Sequence, residues 1–395
     1  MSIKSIRDID IRGKRVLFRF DFNVPLDEAG NIKDDTRIRR ALPTIRYAIE
    51  QGAKSILTSH LGRPKGERKP GMSLRPVAVH LGELLGMDVG FVDDCVGEQV
   101  RDAVSSLRNG SVLVLENLRF HAEETKNDPK FAAQLAGLAD VYVNDAFGTA
   151  HRAHASTVGV PELLKEKAAG LLMKEELENL DKALSKPARP VAAVFGGAKV
   201  SDKLDVLRNI LQRMDVVVIG GGMANTFLKA QGFDTGASSV EEDLLNTASE
   251  ILESARAKGC MFVLPSDVVV ADRIEAGTQT AVVEVALIPN GKMALDIGPA
   301  TAKKFADEIH KAGTIVWNGP MGVFEIEAFS RGTMEIAQAV ASAPGFSLVG
   351  GGDTIRAVQQ AGVADKISYI STGGGAFMEF MEGKTLPGVA ALEEP

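Results

Sequence analysis

Short, continuous runs of Val, Ile and Leu recur along the whole chain, each followed by enough residues for one helix. The runs are Val16–Phe20, Lys54–Thr58, Val112–Leu115, Val141–Val143, Val191–Phe195, Val216–Ile219, Met261–Leu264, Thr314–Trp317, Phe346–Val349 and Ile367–Ile370. A strand with one wet face alternates apolar and polar residues. These runs do not alternate, so they suit strands covered on both faces, as in a parallel sheet. The stretches between them, such as Asp243–Lys258 and Ala300–Ala312, have helical spacing and good helix formers. Strand–helix alternation throughout predicts an α/β fold of doubly wound parallel-sheet, Rossmann-like domains.

A chain of 395 residues is too long for one ordinary core, so two or three domains are expected. The best boundary lies near the middle. Glu162 to Ser185 reads as one long helix with a leucine stripe, and Lys186-Pro187-Ala188-Arg189-Pro190 stops it. The expected division is a first domain over 1–170, an interdomain helix over 171–185, a second domain over 186–380 and a final segment, 381–395.

Composition excludes several classes. Hydrophobic residues at 45% and charged residues at 25% argue against disorder. The longest uncharged apolar run, Val216 to Ala224, falls far short of the ~20 residues of a membrane span. The first residues turn charged too early for a signal peptide. Cys95 and Cys260 are the only cysteines, which excludes a disulfide framework and makes a reducing, cytoplasmic setting the simplest expectation. With a net charge of -7 and 5% aromatics, no nucleic-acid surface is expected. Affinity for an anion must come from a local cluster.

In open α/β sheets ligands bind beyond the carboxyl ends of the strands, and there the two halves differ. The first half places Asp21-Phe22-Asn23, Ser59-His60-Leu61-Gly62-Arg63-Pro64, Glu116-Asn117-Leu118-Arg119-Phe120 and Asn144-Asp145-Ala146-Phe147-Gly148 after its strands, the last running on to His151-Arg152-Ala153-His154. Arg63, Arg119 and Arg152, with Arg37 from the loop Asp34-Asp35-Thr36-Arg37, offer planar forks for carboxylate or phosphate. The second half places Gly196-Gly197-Ala198-Lys199, Gly220-Gly221-Gly222, Asn318-Gly319-Pro320, Gly350-Gly351-Gly352-Asp353-Thr354 and Gly373-Gly374-Gly375 there. Glycines let main-chain N–H groups approach an anion. A small, highly anionic ligand on one domain and a nucleotide on the other is the economical inference. Each signal has a plainer reading: surface arginines, tight glycine turns, an Asp353 N-cap on a helix starting at Thr354, and a solvated Lys199–Lys203 pair on one helical face. Standard dinucleotide, P-loop and protein-kinase fingerprints are absent.

Taken together, these segments resemble phosphoglycerate kinase over essentially the whole chain. The resemblance rests on Phe20–Leu26, Ser59–Pro64, Glu116–Phe120, Phe147–Arg152, Gly196–Lys203, Trp317–Glu325, Gly350–Thr354 and Ser371–Ala376. It implies reversible, magnesium-dependent phosphoryl transfer between 1,3-bisphosphoglycerate and ADP, giving 3-phosphoglycerate and ATP, in glycolysis or gluconeogenesis. It further implies a monomer that closes about a hinge, with a last segment, 381–395, returning to the first domain. By position, Asp21, Asn23, Arg37, His60, Leu61, Gly62, Arg63, Arg119 and Arg152 would hold 3-phosphoglycerate. Lys203, Glu325, Gly351, Gly352, Asp353 and Thr354 would hold the nucleotide, with Asp353 on Mg2+. Arg37, Lys199 and the N–H groups of Gly373, Gly374 and Gly375 would face the phosphoryl group in transit. One segment departs from the family pattern: Lys292 and Ala294 stand where Trp and Gly are usual beside the adenine.

The implied chemistry matches the inventory. A carboxylate acceptor with a reference pKa of about 3.5 is already ionised at neutral pH and needs no general base. It needs relief from repulsion between anions and in-line alignment, which arginines, lysines and backbone N–H groups supply. Another carboxylate kinase would not need so many arginines in the first half, and a simple binding protein would not need Lys199, Lys203 and Asp353 together.

Overall fold

The computed structural model describes residues 3–393. Met1, Ser2, Glu394 and Pro395, the outer ends of the first and last expected segments, lie outside the described residues. The described chain divides into two compact units, residues 3–177 with 385–393, and Glu178–Lys384. The chain passes from one to the other inside the helix Leu171–Leu184.

Each unit is built on a six-stranded, wholly parallel sheet. In the first, the spatial order is Val89–Val92, Val112–Leu115, Lys54–Thr58, Arg15–Arg19, Val141–Asn144, Glu166–Ala169. In the second it is Met261–Val263, Val216–Ile219, Val191–Phe195, Thr314–Asn318, Phe346–Gly350, Tyr369–Ser371. Numbered in chain order, the second sheet runs 3-2-1-4-5-6, the doubly wound order of dinucleotide-binding folds. The continuous apolar runs have their explanation here: Val112–Leu115, Val191–Phe195 and Val216–Ile219 are buried at every residue. Phe18, Phe20 and Phe22 stack in sequence under the first sheet's carboxyl end, with centroids 5.5 and 5.2 Å apart. Each such side chain contributes about 1.5–3 kcal/mol of burial, so the loop after Arg19 starts from a rigid base.

The structure corrects one expectation and adds two elements that the apolar runs do not mark. Glu162–Ser185 is not one helix: a helix Val160–Leu163, a strand Glu166–Ala169 and the helix Leu171–Leu184 replace it. The strand forms because Glu166–Ala169 pairs with Val141–Asn144, and tertiary pairing overrides helix propensity. Gly170 marks the break, since a Cβ there would lie 2.2 Å from Asp145 Oδ1. Next, the strand Val89–Val92, with only Val92 fully buried, has no clear apolar run in the sequence. Finally, a small antiparallel sheet of Ala281–Glu284, Asp267–Ala271 and Met293–Ile297 is added to the second unit.

The end of the chain packs in the first unit. Leu386, Val389 and Leu392 are buried, and Gly388 N–H donates to Ala150 O at 2.8 Å. Among the described residues no helix is long and apolar enough to cross a membrane.

Candidate active site

In the first unit the strand order reverses between Arg15–Arg19 and Val141–Asn144, and the loops leaving these strands open the crevice that such reversals create. Asp21 and Asn23 leave the first of them. Arg37 Nη1 donates to both Asp21 carboxylate oxygens, at 3.0 and 2.9 Å, and to Asn23 O at 3.1 Å. Asn23 Oδ1 accepts from Gly62 N–H at 2.8 Å, and Gly62 O accepts from Arg119 Nη1 at 2.9 Å. Asp21, Asn23, Arg37, Gly62 and Arg119 thus form one connected lattice. Arg37 is not in a loop: it lies in the first turn of the helix Thr36–Glu50, which fixes its base. Leu61 is buried, and its backbone N–H and C=O are both held by the Asn117 amide, at 3.2 and 2.7 Å.

A buried polar layer lies beneath this lattice. Arg19 donates to Ser156 Oγ at 2.9 Å and to Phe20 O, and its Nη2 lies 3.2 Å from His60 Nδ1. Ser156 in turn donates from Oγ and N–H to Glu124, at 2.6 and 3.0 Å. Burial, with Arg19 and Arg119 adding like charge, holds the His60 pKa well below its ordinary value. The same causes bring His154 down to about 3, so both rings are neutral. Arg119 is 7% exposed, its Nε has no partner, and burial with the charges of Arg19 and Arg152 lowers its pKa to about 10. Excess positive charge is therefore built in.

Arg63, Lys65, Arg119, His121, Lys126 and Arg152 line one cavity of about 510 Å³ that has no carboxylate in its wall. Arg63 and Arg152 are exposed, and Arg152 Nε donates to His151 Nε2 at 3.1 Å. A larger opening of about 1290 Å³ on the same unit mixes Glu28, Asp34 and Asp93 with Lys33, Arg68 and Arg75 and touches none of the expected site residues. Charge, rather than size, singles out the smaller cavity. Asp94, Cys95 and His121 also bring their ligand atoms within 4.8 Å of one another. His121 Nε2 already lies 2.7 Å from Asp94 Oδ1, and burial and nearby carboxylates push the Cys95 thiol pKa up, so this trio is a satisfied hydrogen-bonded group.

In the second unit the reversal lies between Val191–Phe195 and Thr314–Asn318. Lys203 is half-buried; its Nζ donates to Asn318 Oδ1 and lies 3.5 Å from Met378 Sδ, and burial lowers its pKa. Lys199 is exposed in the preceding turn, so the two lysines do not share a helical face. Glu241 organises that turn by accepting from Val200 N–H, Ser201 N–H and Ser201 Oγ at 2.6, 3.1 and 2.6 Å. Gly351 has φ 95°, and a Cβ there would lie 2.6 Å from Asn318 Nδ2, so glycine is required for close approach. Thr354 is buried and its Oγ1 accepts from Gly319 N–H at 2.7 Å.

The helix begins at Gly352, with Gly351 as N-cap, and Asp353 makes no capping bond. Its side chain instead accepts from Arg356 Nη2 at 2.9 Å, and Arg356 also donates to Glu325 at 3.1 Å. Gly373 N–H is engaged with Ser371 Oγ at 3.2 Å, whereas Gly374 and Gly375 are exposed at the start of the helix Gly375–Met381. Lys292 forms an ion pair with Asp272, and Ala294 N–H donates to Ser238 Oγ at 2.9 Å.

A family model described as phosphoglycerate kinase matches residues 6–384. The chain belongs to the phosphoglycerate kinase family. It is 58% identical over 394 residues to the phosphoglycerate kinase of Moorella thermoacetica, covering 100% of both chains. It is 52% identical to the protein named phosphoglycerate kinase, cytosolic, of Triticum aestivum, covering 100% of this chain and 98% of that one. The solved structure of phosphoglycerate kinase from Coxiella burnetii superposes with a TM-score of 0.93 at 44% identity, covering 99% of each chain. The activity is accordingly that of phosphoglycerate kinase, a nucleotide-dependent phosphotransferase of glycolysis.

Several residues around this candidate site escape sequence reasoning. Arg19 is a charged residue inside an apolar strand run, which is itself a signal. Arg356 lies three residues after Asp353 on one helix, a spacing that brings side chains together. Glu124 and Lys126 carry no local signal, because only the fold brings them under or beside the arginines.

Proposed function

We propose that the first unit holds 3-phosphoglycerate or 1,3-bisphosphoglycerate, and the second the adenine nucleotide. The observation that supports this most is the wall of Arg63, Arg119 and Arg152 with Lys65 and Lys126 and no carboxylate, set against the half-buried Lys203 and the exposed carboxylates Asp353 and Glu325 of the other unit. In this reading Arg63, Arg119 and Arg152 take the substrate's phosphate end. Asp21 accepts from its hydroxyl and the Asn23 amide N–H donates to that oxygen, with neutral His60 beside them, and Arg37 pairs with its carboxylate. Leu61 and Gly62 supply the loop backbone. Lys203 reaches the nucleotide phosphates, Glu325 lies on the nucleotide side of the same site, and Gly351, Gly352 and Thr354 shape the loop beneath them.

The exposed carboxylates of Asp353 and Glu325 are hard oxygen donors, the set that suits Mg2+, with Asp353 as the protein's ligand. Magnesium, when bound, offsets negative charge on the phosphates of the nucleotide. The chain's own residues do the rest: Arg37, Lys199 and the N–H groups at Gly374 and Gly375 face the group in transit, while Gly373 N–H must first leave Ser371. Transfer needs a water-free site, so the two units close on one another during turnover. The protein acts as a cytoplasmic monomer, runs in either direction, and leaves nucleic acid and membranes aside.

Trp317, the sole tryptophan, tests the division of labour. It is fully buried in the second unit, and its indole N–H donates to Gly319 O at 2.8 Å, at the root of the expected nucleotide loop. Titration with MgADP should change its emission, and titration with 3-phosphoglycerate alone should change it much less. An equal response to 3-phosphoglycerate alone would overturn the assignment.

A further inference from the structure

Arg356 is a cation set among the groups assigned above to metal and nucleotide. Its Nη2 donates to Asp353 at 2.9 Å and to Glu325 at 3.1 Å, and its guanidinium lies over the Phe324 ring at 5.2 Å from the centroid. Phe324 is buried and so offers a fixed platform. The pairing with Asp353 is an ordinary one-turn contact along a helix. The pairing with Glu325 is not, because it crosses from the helix Gly352–Gln360 to the loop after Pro320.

We infer that Arg356 is a resident counter-cation that competes with the divalent metal for Asp353, and so sets how much metal the protein needs to bind nucleotide. The inference rests on the reading of Asp353 as the metal ligand. Two cations cannot both take full advantage of one carboxylate: a guanidinium 2.9 Å from its oxygen repels an incoming divalent ion and occupies a lone pair. Metal loading therefore favours movement of the Arg356 fork away from Asp353 Oδ1, while Glu325 and the Phe324 ring remain to receive it. With the metal gone, the same fork neutralises both carboxylates. Arg356 is a positioning residue in this scheme and touches no reacting atom.

The test is binding, not turnover. Calorimetric titration of ADP at a series of Mg2+ concentrations gives the Mg2+ concentration for half-maximal enhancement of affinity. Exposed ion pairs are individually weak, so removal of this one in Arg356→Met should lower that concentration by about threefold to tenfold. Arg356→Lys, which keeps the charge without the fork, should fall between the two. Affinity for metal-free ADP should stay within about twofold of the parent, since exposed pairs contribute little beyond their own partners. An unchanged or raised Mg2+ requirement in Arg356→Met would overturn the inference. So would a large loss of affinity for metal-free ADP, which would make Arg356 a direct nucleotide contact. Asp353→Asn, measured in parallel, separates the two layers of the argument. If Asp353→Asn keeps the full Mg2+ enhancement, the metal assignment itself fails. If it loses the enhancement while Arg356→Met behaves as the parent, only the role of Arg356 fails.

Discussion

Arg119 should be a residue whose removal harms binding and leaves the fold no worse. In the free protein it is 7% exposed, its Nε has no partner, and its pKa falls to about 10 from 12.5. The group is still charged at neutral pH, so the native state holds a cation that its surroundings disfavour. A shift of that size corresponds to at most about 3 kcal/mol, and to about 1–3 kcal/mol once water at the guanidinium tip is allowed for. Arg119→Met keeps an apolar stem of similar length and loses the bond from Nη1 to Gly62 O, which contributes about 1 kcal/mol. The net expectation runs from no change to about 2 kcal/mol of added stability in the first unit.

Ligand reverses the comparison. A charge-assisted contact to phosphate contributes about 1.5–3 kcal/mol, so affinity for 3-phosphoglycerate should fall by roughly 10–100-fold. At a concentration 100 times the parent dissociation constant, ligand stabilises the parent by about 2.7 kcal/mol. A variant weakened 100-fold would gain only about 0.4 kcal/mol. Urea unfolding followed by circular dichroism reads this, with Trp317 emission isolating the second unit. A loss of more than about 1 kcal/mol in the ligand-free variant would refute the claim that Arg119 is held at a cost to the fold.

Arg37→Ala should slow kcat by roughly 10²–10³, with Arg37→Lys restoring only part, because a point charge cannot replace the planar fork. A kcat within threefold of the parent in the alanine variant, with normal unfolding curves, would reduce Arg37 to a structural partner of Asp21. Asp145 concerns pH. Burial raises its pKa to about 7, so its contribution to stability is complete below about 4 and is lost as pH rises through 7. The first unit should therefore lose up to a few kcal/mol between about pH 4 and 7, and Asp145→Asn should flatten that loss. His60 and His154 act in the opposite sense but equally in both proteins, so the difference between variant and parent isolates Asp145; identical pH profiles would disprove its part.

What could be read from the sequence was whatever a segment specifies about itself. Lys54–Thr58, Val112–Leu115, Val191–Phe195 and Val216–Ile219 stand where their apolar runs place them, because a strand buried on both faces needs no neighbour to be recognised. The loops after them were legible only together, since a single arginine or glycine triplet beyond a strand also fits a surface residue or a tight turn, whereas four arginine-bearing segments in one half make a cluster. Pairings set only by the fold were not legible. Glu166–Ala169 carries two charged residues and good helix formers, and becomes a strand only because Val141–Asn144 offers an open edge. Gly170 then looks like a weak point in a helix until Asp145, 25 residues earlier, is seen to occupy the space its side chain would need. The same logic divides the site. Asp353 could be named from its glycines, but whether it caps its helix or faces a cation depends on Arg356 and on Glu325 from another loop. Local sequence thus nominates candidate groups, and the packing between segments decides the charge each one meets. Affinity for substrate phosphate should accordingly respond to changes in the buried layer of Arg19, Ser156 and Glu124, none of which reaches the cavity wall.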